Sequence, residues 1–106
     1  MSEAKLKTAS EAKLKTALIK KLRQKYQGCF IRKISDRWQS GLPDLFLLWN
    51  GAGIWIELKT ETGVVSDIQK YTIRAMREQG GNVFICRSVA EAISAVESSI
   101  NKEGTC

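Results

Sequence analysis

Leu14, Leu18, Leu22 and Tyr26 recur at every fourth position, the spacing that lines up side chains on one face of an α-helix, and Gly28 is placed to end it. The period then changes. Residues 29–34 (Cys-Phe-Ile-Arg-Lys-Ile), 44–49 (Asp-Leu-Phe-Leu-Leu-Trp), 54–59 (Ile-Trp-Ile-Glu-Leu-Lys) and 82–87 (Asn-Val-Phe-Ile-Cys-Arg) are short β-prone runs and read as strands. Between the third and fourth, Ile68, Ile73, Ala75 and Met76 mark a helix over about residues 66–79 that Gly80-Gly81 stops. Ser88-Val89-Ala90-Glu91 is a capping box opening a last helix through about Ser99, with residues 100–106 as a frayed tail. The predicted order is αβββαβα: one α/β domain with a small mixed sheet and helices packed on it.

The second and third strands carry the chemistry. Asn50-Gly51-Ala52-Gly53 between them is a strong turn signal. If Trp49 pairs with Ile54 across a four-residue loop, Phe46 faces Glu57 and Asp44 faces Lys59. Strand alternation then puts Asp44, Glu57 and Lys59 on one face. The two acids become diagonal neighbours, roughly 7–8 Å apart at the backbone and able to share one hard cation. Both strands are apolar on both faces, as central strands are, and central strands rarely carry bare charges. Two acids converging there repel, and one is pushed towards neutrality unless a cation intervenes. The alternative is an exposed Glu57–Lys59 pair at a strand end, with Asp44 as a turn residue after Pro43.

Two further positions have two readings each. The octapeptide Ser2–Ala9 (SEAKLKTA) is repeated as Ser10–Ala17. Eight residues turn a helix by about 80° from the starting face, so only one copy can share the Leu14–Tyr26 stripe, while the other extends or frays. Residues 1–9 are therefore an extension. Glu11 falls within the stripe and Glu3 towards its edge. Glu11 can reach the acid pair, or serve as a first-turn acid paired with Lys15 at i+4. Gln69 closes a capping box with Ser66, or points its amide over the strand ends.

Composition narrows the class. At 106 residues, with 43% apolar and 26% charged residues, the chain is one small globular domain. It has no membrane-spanning run and no signal-peptide core, so a cytoplasmic protein without a membrane partner is expected. Cys29, Cys86 and Cys106 are too widely spaced for a zinc pattern and read as reduced thiols, two buried in strands and one on the tail. The net charge is +6. Residues 1–33 hold ten Lys or Arg against Glu3 and Glu11, a patch suited to nucleic acid or simply a solvated helix face. Lys13, Lys20, Arg32, Lys33, Arg37 and Lys70 are the candidate phosphate contacts. Histidine is absent, which removes imidazole bases and histidine-ligated zinc. Trp38, Trp49 and Trp55 suit either the core or a dimer surface.

The ordered set Glu11, Gly41-Leu42-Pro43-Asp44, Glu57-Leu58-Lys59 and Ser66-Asp67-Ile68-Gln69 resembles the virus-type replication-repair nuclease (VRR-NUC) family, within the PD-(D/E)XK nuclease superfamily. Gly80-Gly81-Asn82-Val83-Phe84 and Ser88-Val89-Ala90-Glu91-Ala92 are similar to the family's ending, so the likeness covers about Ser10 to Val96. It implies the restriction-endonuclease-like αβββαβ core and a Mg²⁺- or Mn²⁺-dependent DNA endonuclease. It further implies a phage enzyme resembling Holliday-junction resolvases, a homodimer acting on branched DNA in the host cytoplasm. By the same resemblance, Asp44, Glu57 and the Leu58 carbonyl would bind metal and Glu11 would do so through water. Lys59 would orient and activate the attacking water, and Gln69 would support the site. A monomeric single-strand or end-processing nuclease and an inert nucleic-acid-binding domain are the alternatives.

Overall fold

A computed structural model describes the backbone of residues 3–34 and 41–104, and the side chains of 11–34 and 41–101. The elements follow the predicted order: α1 (Glu3–Lys25), β1 (Phe30–Lys33), β2 (Leu45–Trp49), β3 (Ala52–Leu58), α2 (Asp67–Glu78), β4 (Asn82–Cys86) and α3 (Val89–Gly104). The sheet order is β1-β2-β3-β4, antiparallel as far as β3 and parallel between β3 and β4. The two strands read as central are central. Arg37 and Trp38 lie outside the described residues, as do the side chain of Glu3 and Cys106.

One sheet face forms the core. Ile31, Leu45, Leu47, Ile54, Ile56 and Leu58 are buried beneath Leu18 and Leu22 of α1, Tyr26 just after it, and Ala92 and Val96 of α3. The Lys25 ammonium and Glu97 carboxylate tie the two helices together at the surface. On the opposite face α2 covers β4: Ile73 and Val83 are buried, and the Arg77 guanidinium donates twice to the Val83 carbonyl, at 3.1 and 2.7 Å. Further along that face, Phe30 and Leu48 remain 45% and 40% exposed. They adjoin a run of rings, Phe30–Phe46 at 6.3 Å and Phe46–Trp55 at 4.7 Å between centroids. Trp49 is on the core side, tilted against Tyr26 at 5.7 Å.

Three expectations are corrected. The hairpin turns in two residues: Trp49 pairs with Ala52 and Leu47 with Ile54. Asn50 (φ 48°) and Gly51 (φ 83°) both take the left-handed conformation that a tight hairpin turn matching strand twist requires. Residues 100–104 continue α3, because Ile100, one turn beyond Val96, still packs on the core. Cys29 precedes β1 and is only half-buried. Cys86 is buried in β4, and burial, with the Glu91 charge as a smaller cause, pushes its thiol up to about 11. It is therefore an unreactive core residue at neutral pH.

Leu22 joins α1 to the sheet and is fully buried. Leu22→Ala removes packing that neighbouring strands cannot refill, and is expected to cost about 2–5 kcal/mol in chemical denaturation. A loss below 1 kcal/mol would show that the α1–sheet contact contributes little.

Candidate active site

The motif Gly41-Leu42-Pro43-Asp44 delivers an acid to the start of β2, and its glycine is required by close approach. At Gly41 φ is +108°, and an added Cβ would lie 2.6 Å from Thr72 Oγ1 and 2.8 Å from the Ile68 carbonyl of α2. The segment thus passes against α2 with no room for a side chain. Pro43 is fully buried, and the Asp44 carbonyl accepts from the Ile34 amide at 2.7 Å.

With the two-residue turn, Leu45 pairs with Ile56, so Asp44 stands directly across from Glu57 rather than from Lys59. The register differs from the sequence expectation by two residues, an even number, so Asp44, Glu57 and Lys59 keep one face. The acids are drawn closer than diagonal neighbours. Asp44 Oδ2 accepts from the Leu58 amide at 3.3 Å, which brings the carboxylate onto the β3 backbone. Glu57 is 1% exposed. Burial, reinforced by the Asp44 charge, raises its carboxyl to about 7, with Lys59 opposing the shift. The reading of these residues as an exposed strand-end pair is excluded by this burial.

Each acid has its own ammonium. Lys59 Nζ lies 3.4 Å from Glu57 Oε2, and Lys15 Nζ lies 3.7 Å from Asp44 Oδ1. Lys15 was expected, at most, to pair with Glu11. Its signal in the sequence is position: three residues before Leu18, it sits on the face of α1 that turns to the sheet. Gln69 fulfils both of its readings, because a primary amide has two ends. Its Oε1 accepts from the Ser66 amide at 3.0 Å, closing the capping box, and its Nε2 donates to Glu57 Oε2 at 3.0 Å. The cap aims the amide at the buried acid.

Among the described residues Glu57 Oε1 is buried without a hydrogen-bond partner. A carboxylate oxygen in that condition, beside a second carboxylate, is a donor set for a hard divalent cation. Asp44 and Glu57 are the residues that fit one. Among the described residues no group of three acids or thiols is close enough to hold a metal, so Glu11 does not complete a triad. Its carboxylate lies over the loop after Lys59 instead: a Cβ on Gly63 would be 3.2 Å from Glu11 Oε1 and 3.1 Å from Thr60 Oγ1. Among the described residues Thr60 Oγ1 is also buried without a partner. Arg87, which the sequence reading missed, fixes this loop by donating to the carbonyls of Thr60 at 2.8 Å and Gly63 at 2.6 Å.

The basic residues divide into two places. Lys20 and Arg23 of α1 with Arg32 and Lys33 of β1 line an open groove of about 910 Å³ that begins at Thr16. Its β1 end adjoins the start of β2, since Lys33 pairs with Leu45, the residue after Asp44. The Arg32 guanidinium is spent locally, 4.2 Å from the Phe30 ring and 2.8 Å from the Ile31 carbonyl. Lys13 lines a shallow depression with Lys20. Lys70 is elsewhere, on α2 with Arg74 and Arg77.

The arrangement has counterparts among known proteins. A solved "VRR_NUC domain" is 26% identical, covering 77% of this chain and 92% of its own, with a TM-score of 0.64. A "VRR_NUC domain protein" shares the fold at 19% identity, covering 86% and 88%, with a TM-score of 0.72. No curated protein matches. The family model for the VRR-NUC domain matches residues 2–90, a span that holds the acid pair, Lys59, Gln69 and β4, and the chain belongs to the VRR-NUC domain family of nucleases.

Proposed function

We propose that this chain is a Mg²⁺- or Mn²⁺-dependent endonuclease that hydrolyses phosphodiester bonds in branched DNA, in the manner of a Holliday-junction resolvase. Phage origin and a host cytoplasm accord with it, and among the described residues no helix is long and apolar enough to cross a membrane. The observation that carries the reading is Glu57: buried, unpartnered at Oε1, opposite a second acid and 3.4 Å from an ammonium. Lys59 and Gln69 both address Oε2, so Oε1 is left as a buried acceptor that a divalent cation would satisfy.

Asp44, Glu57 and the Leu58 carbonyl would hold the ion. When bound, it supplies neutralisation of the phosphate oxygens and a lowered pKa for an attacking water. Lys59 holds that water by hydrogen bonding and stabilises developing negative charge. Gln69 fixes Glu57 Oε2 and leaves Oε1 free. Glu11, on the Gly63 side, would reach the ion through water. Lys13, Lys20, Arg23, Lys33 and Lys70, with Arg37 and with Arg32 once it leaves the Ile31 carbonyl, contact phosphates and read no bases, so selectivity is for shape.

A homodimer would cover the exposed Phe30 and Leu48. A solvent-facing sheet normally alternates to polar residues, whereas here Phe30, Phe46, Leu48 and Trp55 share the outer face. Two strands of a junction also need two sites. The test is cleavage of a four-way junction against a linear duplex in Mg²⁺, with sedimentation of the wild type and of Leu48→Lys. Junction-selective, Mg²⁺-dependent cutting by a dimer that Leu48→Lys dissociates is expected. A monomer that trims linear ends would instead establish the end-processing alternative, and metal-independent binding with no cutting would establish the inert one.

A further inference from the structure

We propose that Lys15 is a resident counter-ion of the acid pair, displaced when a divalent cation binds and then free to engage a substrate phosphate. The inference rests on the metal-binding reading above and concerns a residue that reading does not use.

The charges balance in pairs. With both acids ionised, Asp44 and Glu57 contribute two negative charges, and Lys15 and Lys59 two positive ones, at 3.7 and 3.4 Å. The pairs are not equivalent. The Lys59 side chain is 14% exposed and its partner 2%, so separating them would strand a buried acid. Lys15 and Asp44 are each 26% exposed and lie farther apart. A pair of that kind is worth little and is readily exchanged. A divalent cation accepted by both acids would bring two positive charges to a cluster that already sums to zero. The ammonium that leaves at least cost is Lys15.

The stem of Lys15 also has somewhere to go. Four methylenes let its ammonium swing about α1, and the next residue, Thr16, begins the groove that Lys20, Arg23 and Lys33 line. Lys15 therefore stands between the acid pair and the basic groove, positioned to serve the cation's site first and the DNA afterwards. A brace for Asp44 would behave oppositely: its removal would loosen the carboxylate and weaken metal binding.

The two roles have opposite signs in one experiment. Mn²⁺ is titrated calorimetrically into DNA-free wild type, Lys15→Met and Lys15→Arg, and KM and kcat for a four-way junction are then measured in Mn²⁺. Both substitutions keep a good helix former and an unbranched stem. Lys15→Met is expected to bind Mn²⁺ about fivefold more tightly, since a like charge within a few ångströms has gone. Its KM for the junction should rise severalfold with kcat changed less, and Lys15→Arg should stay near wild type in both. Unchanged or weaker Mn²⁺ binding by Lys15→Met refutes displacement and assigns Lys15 as a brace. If the wild type and Lys15→Met alike take up no Mn²⁺, the metal site itself is wrong, a result separable from the first.

Discussion

Raising the pH of the metal-free protein from about 4.5 to 8 is expected to lower its unfolding free energy by roughly 3 kcal/mol, through Glu57 alone. The sign follows from the direction of the shift. Burial and the Asp44 charge raise the folded-state value to about 7, from 4.5 for a free side chain. Below 4.5 the carboxyl is protonated in both states and exerts no penalty. Between 4.5 and 7 the unfolded chain ionises while the folded chain resists, so stability drains away as pH rises. Above 7 the folded protein holds a buried anion and the loss is complete. For a chain of this size the corresponding fall in Tm is on the order of 10–20 °C. A divalent cation reverses the sign: it favours the ionised pair, so Mg²⁺ or Mn²⁺ should restore stability at pH 8 and have little effect at pH 5. Melting curves across this range, in chelator and in metal, decide the matter against Glu57→Gln. That variant keeps an acceptor for Gln69 but has no charge to bury, and its pH slope should be nearly flat in this window. An unchanged slope would assign the pH dependence to other groups.

The largest catalytic effects are expected at Asp44 and Lys59. Asp44→Asn preserves an oxygen for the Leu58 amide, so the β2–β3 junction keeps its geometry, but the cation loses a charged ligand. Lys59→Ala leaves both acids and removes the ammonium beside Glu57. In single-turnover cleavage of a four-way junction with Mg²⁺, each variant should lose at least about 10²-fold in rate, the scale typical of removing one electrostatic contact from a developing charge. DNA affinity in chelator should stay within a few fold, because the groove lined by Lys20, Arg23 and Lys33 is untouched. Loss of binding in parallel with rate would mean that these residues hold the DNA or the fold. Cleavage by Asp44→Asn within tenfold of wild type would remove the acid pair from the mechanism.

Much of this architecture was legible in the chain because its signals are local. Leu18, Leu22 and Tyr26 marked a helix, apolar runs marked β2 and β3 as central, and Ser66 to Gln69 marked a cap; each depends on neighbours within a few residues. The common face of Asp44, Glu57 and Lys59 was also readable, since alternation survives any even change of register. The same rule hid the distance between the acids. Only the left-handed pair Asn50-Gly51, which closes the hairpin in two residues, set Asp44 against Glu57.

What remained came from contacts between distant segments. No spacing places Lys15 of α1 on Asp44, or Arg87 after β4 on the loop at Thr60 and Gly63. Those pairings depend on where helices rest on the sheet, which is decided by the whole core. The elements, their order and the acids' shared face are written into the chain, because they follow from backbone periodicity. The burial of Glu57, and among the described residues the open position at its Oε1, arise only once the helices rest on the sheet, because burial is a property of everything packed around a residue.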